Sequence, residues 1–326
     1  SIRPKSGIVA NANNRVTNAP FPNHISSQWA TPYRIRRIEQ RLNARQFHTR
    51  ESFIELQNDA VSEMARSVLP LIGADFWWTR DEADADAKAN RRDAVLTSLG
   101  DWNGEMSEHL PEPLLYAALM RALQKRLIQD ELGPLATEFP HVEPLFIERV
   151  FRNVENASVW CDVVQSAEVE TCATMARLAL DDALVDLRQL YGPAPESWRW
   201  GDAHQATHDH PTLGDVPLLR YFVNIRQSTS GGDNTLLRGR TSGTSPYPFQ
   251  NVHAAGYRGV YDFTDPDSSV FILSTGQSGH PLSRHYDDMA QLWRRGEYIP
   301  MSLDPSLARA GALGVMKLIP AESIAN

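Results

Sequence analysis

Three histidines stand close together in the sequence HQATHDH, and histidine is a common metal ligand in proteins. His204 and His208 are four positions apart, so on a helix both rings would lie on one face, and His210 follows them. A metal-dependent hydrolase built on these three residues is one hypothesis for the function. Asp209 and Pro211 argue against it because they predict that a helix ends here, and no carboxylate-rich segment completes a ligand set.

A second group of polar side chains follows a short apolar run in the sequence GIVANANNRVT. We expect residues 1–30 to hold a strand followed by this polar loop, because asparagine is common in turns and tolerates left-handed backbone conformations. The loop therefore presents amide side chains at one point of the chain.

The chain has two cysteines, Cys161 and Cys172, in a short segment that could turn back on itself. Two cysteines are too few for a disulfide-stapled scaffold. The residues leave two alternatives open, which are a single disulfide in an oxidising compartment and a pair of unpaired buried thiols.

Composition and charge exclude two classes of partner. No apolar run approaches the roughly 20 residues that cross a bilayer, so we expect no membrane span. The 32 Lys and Arg are outnumbered by 40 Asp and Glu, and the arginines of RIRRIEQR and RRGEY are mixed with carboxylates. Because nucleic-acid binding relies on a continuous basic surface, nucleic acid is not an expected partner.

The spacing of apolar residues predicts helices in the middle of the chain and strands near its end. Helical periodicity is expected over residues 35–42, 49–68, 114–123 and 169–187. The last two helices are predicted to end at Gly133 and Gly192. Short aromatic and β-branched runs follow in VPLLRYFVNIR, YRGVYDF and SVFILST. Residues 31–195 are thus interpreted as mainly helical and residues 196–326 as strand-rich, within one α+β catalytic domain.

Four separated motifs of the sequence are similar to motifs of the penicillin amidase family. They are GIVANANNRVT at 7–17, WATPYRIRRIEQRL at 29–42, SGGDNTLLRG at 230–239, and STGQSGHPLSRHYDDMAQLWRRGEY at 274–298. Two segments between them, DWNGEMSEHLPEPLLYAALMRAL and WRWGDAHQATHDHPTLGDVPLL, resemble the family in the same order. The chain thus resembles the C-terminal part of the catalytic β chain of this family.

The resemblance implies both a fold and an activity. The fold is the αββα sandwich of an N-terminal-nucleophile hydrolase, of which this chain would form part, with a large helical insertion. The activity is that of an amidohydrolase acting on an acylated amine, such as a β-lactam side chain or an acyl-homoserine lactone. The reaction runs through an acyl-enzyme on an N-terminal serine, whose own α-amino group, with a reference pKa of about 7.7 to 8.0, is the base.

That serine is expected to lie outside this chain. Ser1 stands only a short way before Asn13, whereas the family places its nucleophile far upstream of the asparagine motif. In the family a precursor cuts itself, so the implied partners are the α chain and the N-terminal part of the β chain of the same precursor. A catalytically silent fragment or interaction module is the alternative.

The resemblance assigns roles to two residues of this chain. Asn13 matches the asparagine whose side-chain amide donates to the tetrahedral oxyanion, with Asn14 as second choice. Arg34 matches an arginine near the site, whose charge lowers the pKa of the nucleophile's amine and orients polar groups. The alternatives are a turn asparagine and a solvated arginine at the start of a helix. Arg36 and Arg37 are expected to be surface charges.

The resemblance implies no cofactor for this chain. Several members of the family hold calcium with an aspartate between the first two motifs, but this chain has Asn23 and His24 there and no carboxylate. Asp262 falls near the position at which some relatives place a carboxylate that supports a catalytic histidine, although an aspartate that caps a turn is the stronger interpretation. The family's usual export predicts a periplasmic or secreted protein, in which Cys161 and Cys172 form a disulfide.

Overall fold

The computed structural model of the protein describes residues 4–20, 22–78 and 87–320. Ser1 lies outside the described residues. The chain, which the sequence predicted to form one domain, divides into two compact units. The first consists of Ser1–His48 with Glu55–Ala255, and the second of Thr49–Ile54 with Gly256–Asn326. Among the described residues, no helix has the length and apolar character that crossing a membrane requires.

Helices occupy the middle of the chain, as its periodicity predicts. In chain order the α-helices are α1 (Tyr33–Asn43), α2 (Arg50–Gln57), α3 (Glu63–Trp78), α4 (Ala87–Asp101), α5 (Glu112–Leu132), α6 (Pro144–Phe151), α7 (Cys172–Tyr191), α8 (Trp200–Ala203), α9 (Arg220–Val223), α10 (Ala290–Arg295) and α11 (Pro305–Gly311). Short 3₁₀ helices cover Gly133–Glu138, Val154–Cys161, Pro195–Ser197 and Pro266–Ser268.

The strands of the described residues all follow α8 in the chain. They are β1 (Gln205–His208), β2 (Ile225–Ser228), β3 (Gly239–Thr241), β4 (Asn251–Ala254), β5 (Tyr257–Val260), β6 (Val270–Leu273) and β7 (Ile299–Pro300). In the first unit the order is β2-β1-β4-β3, with β1 antiparallel to β2 and parallel to β4, and β3 antiparallel to β4. In the second unit the antiparallel order is β5-β6-β7.

The core of the first unit forms where α5 packs against α7. Their apolar stripes are buried, among them Leu114, Leu119, Leu123 and Leu127 of α5 and Met175, Leu180 and Leu187 of α7. Burying one such side chain stabilises the fold by about 1.5 to 3 kcal/mol. Both helices end at the predicted glycines, which have positive φ angles of 52° and 91°. The side-chain oxygen of Thr171 caps α7, and Cys161 and Cys172 are joined in a disulfide with a Cα–Cα distance of 5.0 Å.

Residues 4–20 and 22–30 form no strand, so the predicted strand at the start of the chain is wrong for these residues. Asn14 and Ala30 form one isolated parallel bridge, in which Ala30 N donates to Asn13 O at 2.8 Å. A strand is stabilised by a paired neighbour, and no described segment pairs with residues 7–12. Val9 is accordingly 84 % exposed.

Two further predicted elements differ from the structure. The helix expected over residues 49–68 is broken into α2 and α3, because Val61 leaves the helical path to form a bridge with Glu105 and its N–H donates to Asp59 Oδ1 at 3.0 Å. In the run VPLLRYFVNIR, α9 precedes the strand, and only its last residues belong to β2. Apolar runs this short fit either element, and tertiary contacts decide between them.

A buried ion pair fixes α1 to the rest of the first unit. Arg37 Nη2 donates to Asp59 Oδ2 at 2.7 Å, and the exposed fractions of the two side chains are 10 % and 5 %. Arg37 Nη1 also donates to Glu63 Oε1 at 3.2 Å. The expectation of a surface charge at Arg37 is therefore wrong. Its face of the helix is the one that buries Tyr33, whose hydroxyl donates to Glu148 Oε1 at 2.7 Å.

We expect the Asp59→Ala substitution to lower the free energy of unfolding by about 3 to 5 kcal/mol, because it leaves the buried Arg37 guanidinium without its main counter-charge. Urea denaturation of the complete protein measures this change. The matched control is Glu55→Ala, which removes a half-exposed carboxylate paired with Arg45 and should cost no more than about 1 kcal/mol. Equal losses in the two variants would contradict the structural role of the buried pair.

Candidate active site

The asparagine-rich loop is held by its own side chains. Asn11 Oδ1 accepts from Asn13 N at 2.8 Å, and Asn14 Oδ1 accepts from Ala12 N at 3.0 Å. Asn14 Nδ2 donates to Arg15 O at 3.2 Å. Asn13 has a left-handed backbone with φ 61°, which asparagine adopts more readily than most residues. The turn thus uses both amide atoms of Asn14, whereas the side chain of Asn13 makes no hydrogen bond within the turn in the described structure.

Arg34, at the start of α1, contacts this loop directly. Its Nη2 donates to Ala12 O at 2.7 Å and to Asn13 Oδ1 at 3.0 Å. A guanidinium can only donate, so the amide oxygen of Asn13 must face Arg34 and the amide nitrogen must face away. In the part of the chain that the structure describes, Asn13 Nδ2 has no hydrogen-bond partner. The two residues selected from the sequence therefore meet, and together they present an oriented N–H donor at an exposed position.

The SGGDNTLLRG segment, residues 230–239, is held beside the start of α1 by hydrogen bonds. Thr31 Oγ1 donates to Asn234 Oδ1 at 2.9 Å, and Leu237 N donates to Asp59 O at 2.9 Å. Gly231 has φ +90°, and a Cβ atom there would lie 1.9 Å from Leu237 O. No residue other than glycine fits this backbone, so the segment is held in one tight conformation.

This segment brings a second arginine, Arg238, close to Arg34. The pKa of Arg34 is lowered from its usual value, first by burial and then by the positive charge of Arg238. The Nε atom of Arg238 is buried without an acceptor. Asp233 lies nearby, and its oxygens accept from Thr241 N at 3.2 Å and Thr241 Oγ1 at 2.8 Å. In the sequence, the signal that points to Arg238 is its place inside a family motif.

The sequence of the chain matches a family model described as penicillin amidase over residues 1–310. The chain belongs to the penicillin amidase family. The four motifs quoted from the sequence all lie within the matched residues, so the resemblance to this family is confirmed.

Curated relatives of this penicillin amidase family chain are considerably longer than it is. The acyl-homoserine lactone acylase QuiP of Pseudomonas aeruginosa is 24 % identical over 335 residues, which cover 93 % of this chain and 38 % of the relative. Penicillin acylase 2 proenzyme of Pseudomonas sp. strain SE83 is 26 % identical over 329 residues, which cover 98 % of this chain and 39 % of the relative. The chain spans about two-fifths of the length of these relatives.

The solved structure of a thermostable penicillin G acylase from Alcaligenes faecalis is similar in fold. Its TM-score is 0.56 at 16 % sequence identity, and the match covers 98 % of this chain and 58 % of that one. Together with the helices and strands described above, this likeness confirms the predicted α+β class and shows a fold similar to that of penicillin G acylase.

The histidines of the metal hypothesis do not share a helix face. His204 follows the end of α8, and His208 is the last residue of β1. Four residues along a strand span about 13 Å, which is too far for two side chains to bind one metal ion in the way a helix allows. His210 Nδ1 accepts from the backbone N–H groups of the loop that follows it. Within residues 4–20, 22–78 and 87–320 there is no group of three or more His, Cys, Asp or Glu that could hold a metal ion.

His204 has a structural environment instead. Its ring is fully buried and stacks on Trp200, with ring centroids 4.3 Å apart. Its Nδ1 lies 2.8 Å from Phe249 O, which accepts only, so Nδ1 carries the proton. Burial lowers the pKa of His204 from 6.5 to about 4, against a smaller opposing effect of the bond to Phe249. The ring is therefore neutral near pH 7.

Asp262, in the second unit, caps a turn. Its Oδ1 accepts from Thr264 N at 2.8 Å and from Asp265 N at 3.2 Å. This is the interpretation that the sequence favoured for Asp262, and it accounts for the side chain without a catalytic role.

The protein should lose stability as the pH falls from about 6.5 to about 4, because in this window the unfolded His204 binds a proton that the folded one does not. The contribution is roughly 1.4 kcal/mol per pH unit, and it vanishes above pH 6.5, where both states are neutral. Urea denaturation between pH 7 and pH 5 measures the slope. In His204→Asn, whose amide can still donate to Phe249 O, the slope should be smaller by that amount.

The control for this slope is His109→Asn, since the His109 side chain is 79 % exposed. Absolute stabilities will differ because asparagine fills less of the buried site than the imidazole ring does. If His204→Asn and His109→Asn keep the same pH dependence as the unaltered protein, His204 is not the group responsible.

Proposed function

We propose that this chain supplies the oxyanion-stabilising group of an amidohydrolase of the penicillin acylase type. Asn13 is the donor, and Arg34 is the residue that orients it. The observation that carries the proposal is the 3.0 Å hydrogen bond from Arg34 Nη2 to Asn13 Oδ1. Because this bond occupies the amide oxygen, the Asn13 N–H groups are directed outward, where an exposed side chain can reach a substrate.

The chemical argument concerns how charge develops during amide cleavage. The carbonyl oxygen of the substrate carries a partial charge, and in the tetrahedral intermediate it carries nearly a full one. A fixed N–H donor binds the second state more strongly than the first, and this difference lowers the barrier. Asn13 suits this role because it donates without carrying a charge that would bind the ground state equally well. Its orientation by Arg34 removes the need to reorganise during the reaction.

The remaining groups of the reaction are proposed to come from other parts of the same precursor. The hydroxyl of an N-terminal serine outside this chain attacks the carbonyl carbon, and its proton passes to the serine's own α-amino group. That proton then leaves with the amine, and water hydrolyses the acyl-enzyme to the acid. The charge of Arg34 favours the neutral, basic form of the amine. The word proenzyme in the name of one relative supports a precursor that is processed into chains.

The proposed substrate is an acylated amine, either a β-lactam side chain or an acyl-homoserine lactone, as the names of the relatives suggest. The proposed compartment is the periplasm or the exterior of the cell. The disulfide between Cys161 and Cys172 supports this compartment, since disulfides persist in oxidising environments. A catalytically silent protein is the competing hypothesis. The absence of amidase activity in the complete, processed protein would support it.

We expect Asn13→Ala in the complete, processed enzyme to lower kcat by about a hundredfold or more while leaving KM nearly unchanged, because it removes a donor used mainly in the transition state. Steady-state hydrolysis of an acyl amide measures both constants. Self-cleavage of the precursor passes through a related oxyanion, so the processed fraction is quantified by mass spectrometry before rates are compared.

Asn13→Gly and Asn14→Ala are the controls for this experiment. Glycine accepts the left-handed backbone at residue 13 without strain, so Asn13→Gly should lose as much activity as Asn13→Ala if the side-chain donor is what matters. Asn14→Ala should keep more activity, since the amide of Asn14 is bonded within the turn. Normal kcat in both alanine variants would refute the oxyanion role of this loop, and loss in Asn14→Ala alone would transfer the role to Asn14.

Arg34→Met should lower kcat by about tenfold or more, because the Asn13 amide then loses the partner that sets its orientation. Combining it with Asn13→Ala distinguishes a positioning role from an independent one. If Arg34 acts mainly through Asn13, the double variant has nearly the kcat of Asn13→Ala alone. Fully additive losses would show that Arg34 acts on the reaction by another route.

A further inference from the structure

Thr31, two residues before α1, uses its hydroxyl for a distant contact and not for capping the helix. Its Oγ1 donates to Asn234 Oδ1 at 2.9 Å. A threonine beside the start of a helix often caps the first N–H groups of that helix, but α1 begins after Pro32 and has no side-chain cap. The Thr31 hydroxyl therefore joins two segments of the first unit.

The two residues that hold the asparagine-rich loop stand on either side of Thr31. Ala30 N donates to Asn13 O at 2.8 Å. Arg34, in the first turn of α1, donates to Ala12 O at 2.7 Å and to Asn13 Oδ1 at 3.0 Å. Ala30 adjoins Thr31, and Arg34 follows it by three positions. A displacement of Thr31 would therefore move both of the groups that hold Asn13.

The side chain of Asn234 is oriented by the core of the first unit. Its Nδ2 donates to Met64 Sδ at 3.1 Å, and Met64, which belongs to α3, is 4 % exposed. Because the amide nitrogen faces the core, the amide oxygen faces the hydroxyl of Thr31. A thioether is a weak acceptor, so the contact with Met64 orients Asn234 more than it stabilises the fold.

The backbone of Asn234 lies in a tightly bonded turn. Gly232 N donates to Thr235 Oγ1 at 2.9 Å, and Thr235 Oγ1 donates to Leu237 O at 2.6 Å. Thr235 is 1 % exposed. Gly231, at the start of this turn, has the conformation that only glycine fits. These bonds join residues on both sides of Asn234, so its position is set without any contribution from the asparagine-rich loop.

We propose that Asn234 is a positioning residue that acts through Thr31 to place the oxyanion donor Asn13. The inference rests on the proposed amidohydrolase function. The turn fixes Asn234, the 2.9 Å bond fixes Thr31, and Ala30 N holds Asn13 from the adjoining position. The contribution of Asn234 is geometric, because displacing a group of the site by about 1 Å can lower a rate by about a hundredfold.

We expect Thr31→Val in the complete, processed enzyme to lower kcat by about tenfold and to leave KM nearly unchanged, because valine has the shape of threonine but cannot donate to Asn234. Asn234→Ala should have the same effect, and the double variant should lose little more than either one. Thr31→Ser keeps the hydroxyl and should retain most of the activity. In an Asn13→Ala background, Thr31→Val should have almost no further effect. Steady-state hydrolysis of an acyl amide measures these constants.

Ser98→Ala is the matched control for a purely structural role. Ser98 is half-buried, and its Oγ donates to Glu112 Oε1 at 2.6 Å, which joins α4 to α5. Loss of this bond should lower the free energy of unfolding by about as much as Thr31→Val does, since each substitution removes one hydroxyl donor. Urea denaturation measures both losses. Ser98→Ala should nevertheless leave kcat unchanged.

Amide hydrogen exchange, measured by mass spectrometry, gives a result that needs no substrate. Thr31→Val should raise the exchange rates of Ala30 N–H and Ala12 N–H, which are bonded to oxygen atoms of the asparagine-rich loop. Ser98→Ala should leave both rates unchanged.

Two results would overturn the positioning role. One is unchanged exchange rates in Thr31→Val, and the other is a loss of kcat in Thr31→Val no greater than in Ser98→Ala. An unaltered enzyme that cleaves no acyl amide would refute the proposed function instead. The exchange rates would then still decide whether Asn234 places the asparagine-rich loop.

Discussion

The ion pair between Arg37 and Asp59 holds together the parts of the first unit from which the candidate site is built. Arg37 lies on the buried face of α1, and Asp59 lies in the turn that separates α2 from α3. The backbone oxygen of Asp59 accepts from Leu237 N, one residue before Arg238. One buried carboxylate-bearing turn therefore fixes both the helix that carries Arg34 and the segment that carries Arg238. Buried pairs of this kind are costly to break because each charge depends on the other.

The orientation of Asn13 illustrates how a fold can select one of two nearly isosteric side-chain states. An amide group has a donor end and an acceptor end of similar shape, so steric packing discriminates poorly between them. The guanidinium of Arg34 has no acceptor atom, so it can bind only the oxygen end of the Asn13 amide. Asn13 also has a left-handed backbone conformation. Two features of the loop therefore favour asparagine at this position, which are the backbone conformation and the hydrogen bond from Arg34 to the side chain. The proposed catalytic role of Asn13 requires the hydrogen bond from Arg34, because that bond orients the amide.

Much of this arrangement follows from the sequence, and the rest depends on contacts that a sequence does not display. Family motifs selected Asn13 and Arg34, whose side chains are in contact in the structure, and helical periodicity located α5 and α7 with their terminal glycines. The burial of Arg37 was not predictable from the helix alone, because its partner lies in a turn that interrupts an otherwise helical pattern. The spacing of His204 and His208 fits a helix face, but pairing of β1 with β2 and β4 overrides that local preference.

The hydrogen bond between Thr31 and Asn234 joins residues that are 203 positions apart in the chain. Contacts this distant in sequence close a long loop, and the entropy lost on closure is smaller once the local helices and the α5–α7 core have formed. Asn13 and Arg34 can meet early, since only a short segment separates them. The segment that carries Arg238 is available only after most of the first unit has been synthesised. Formation of the site therefore depends on completion of the fold. A chain with a defective helical core would not bring these groups together, although all of them are present in its sequence.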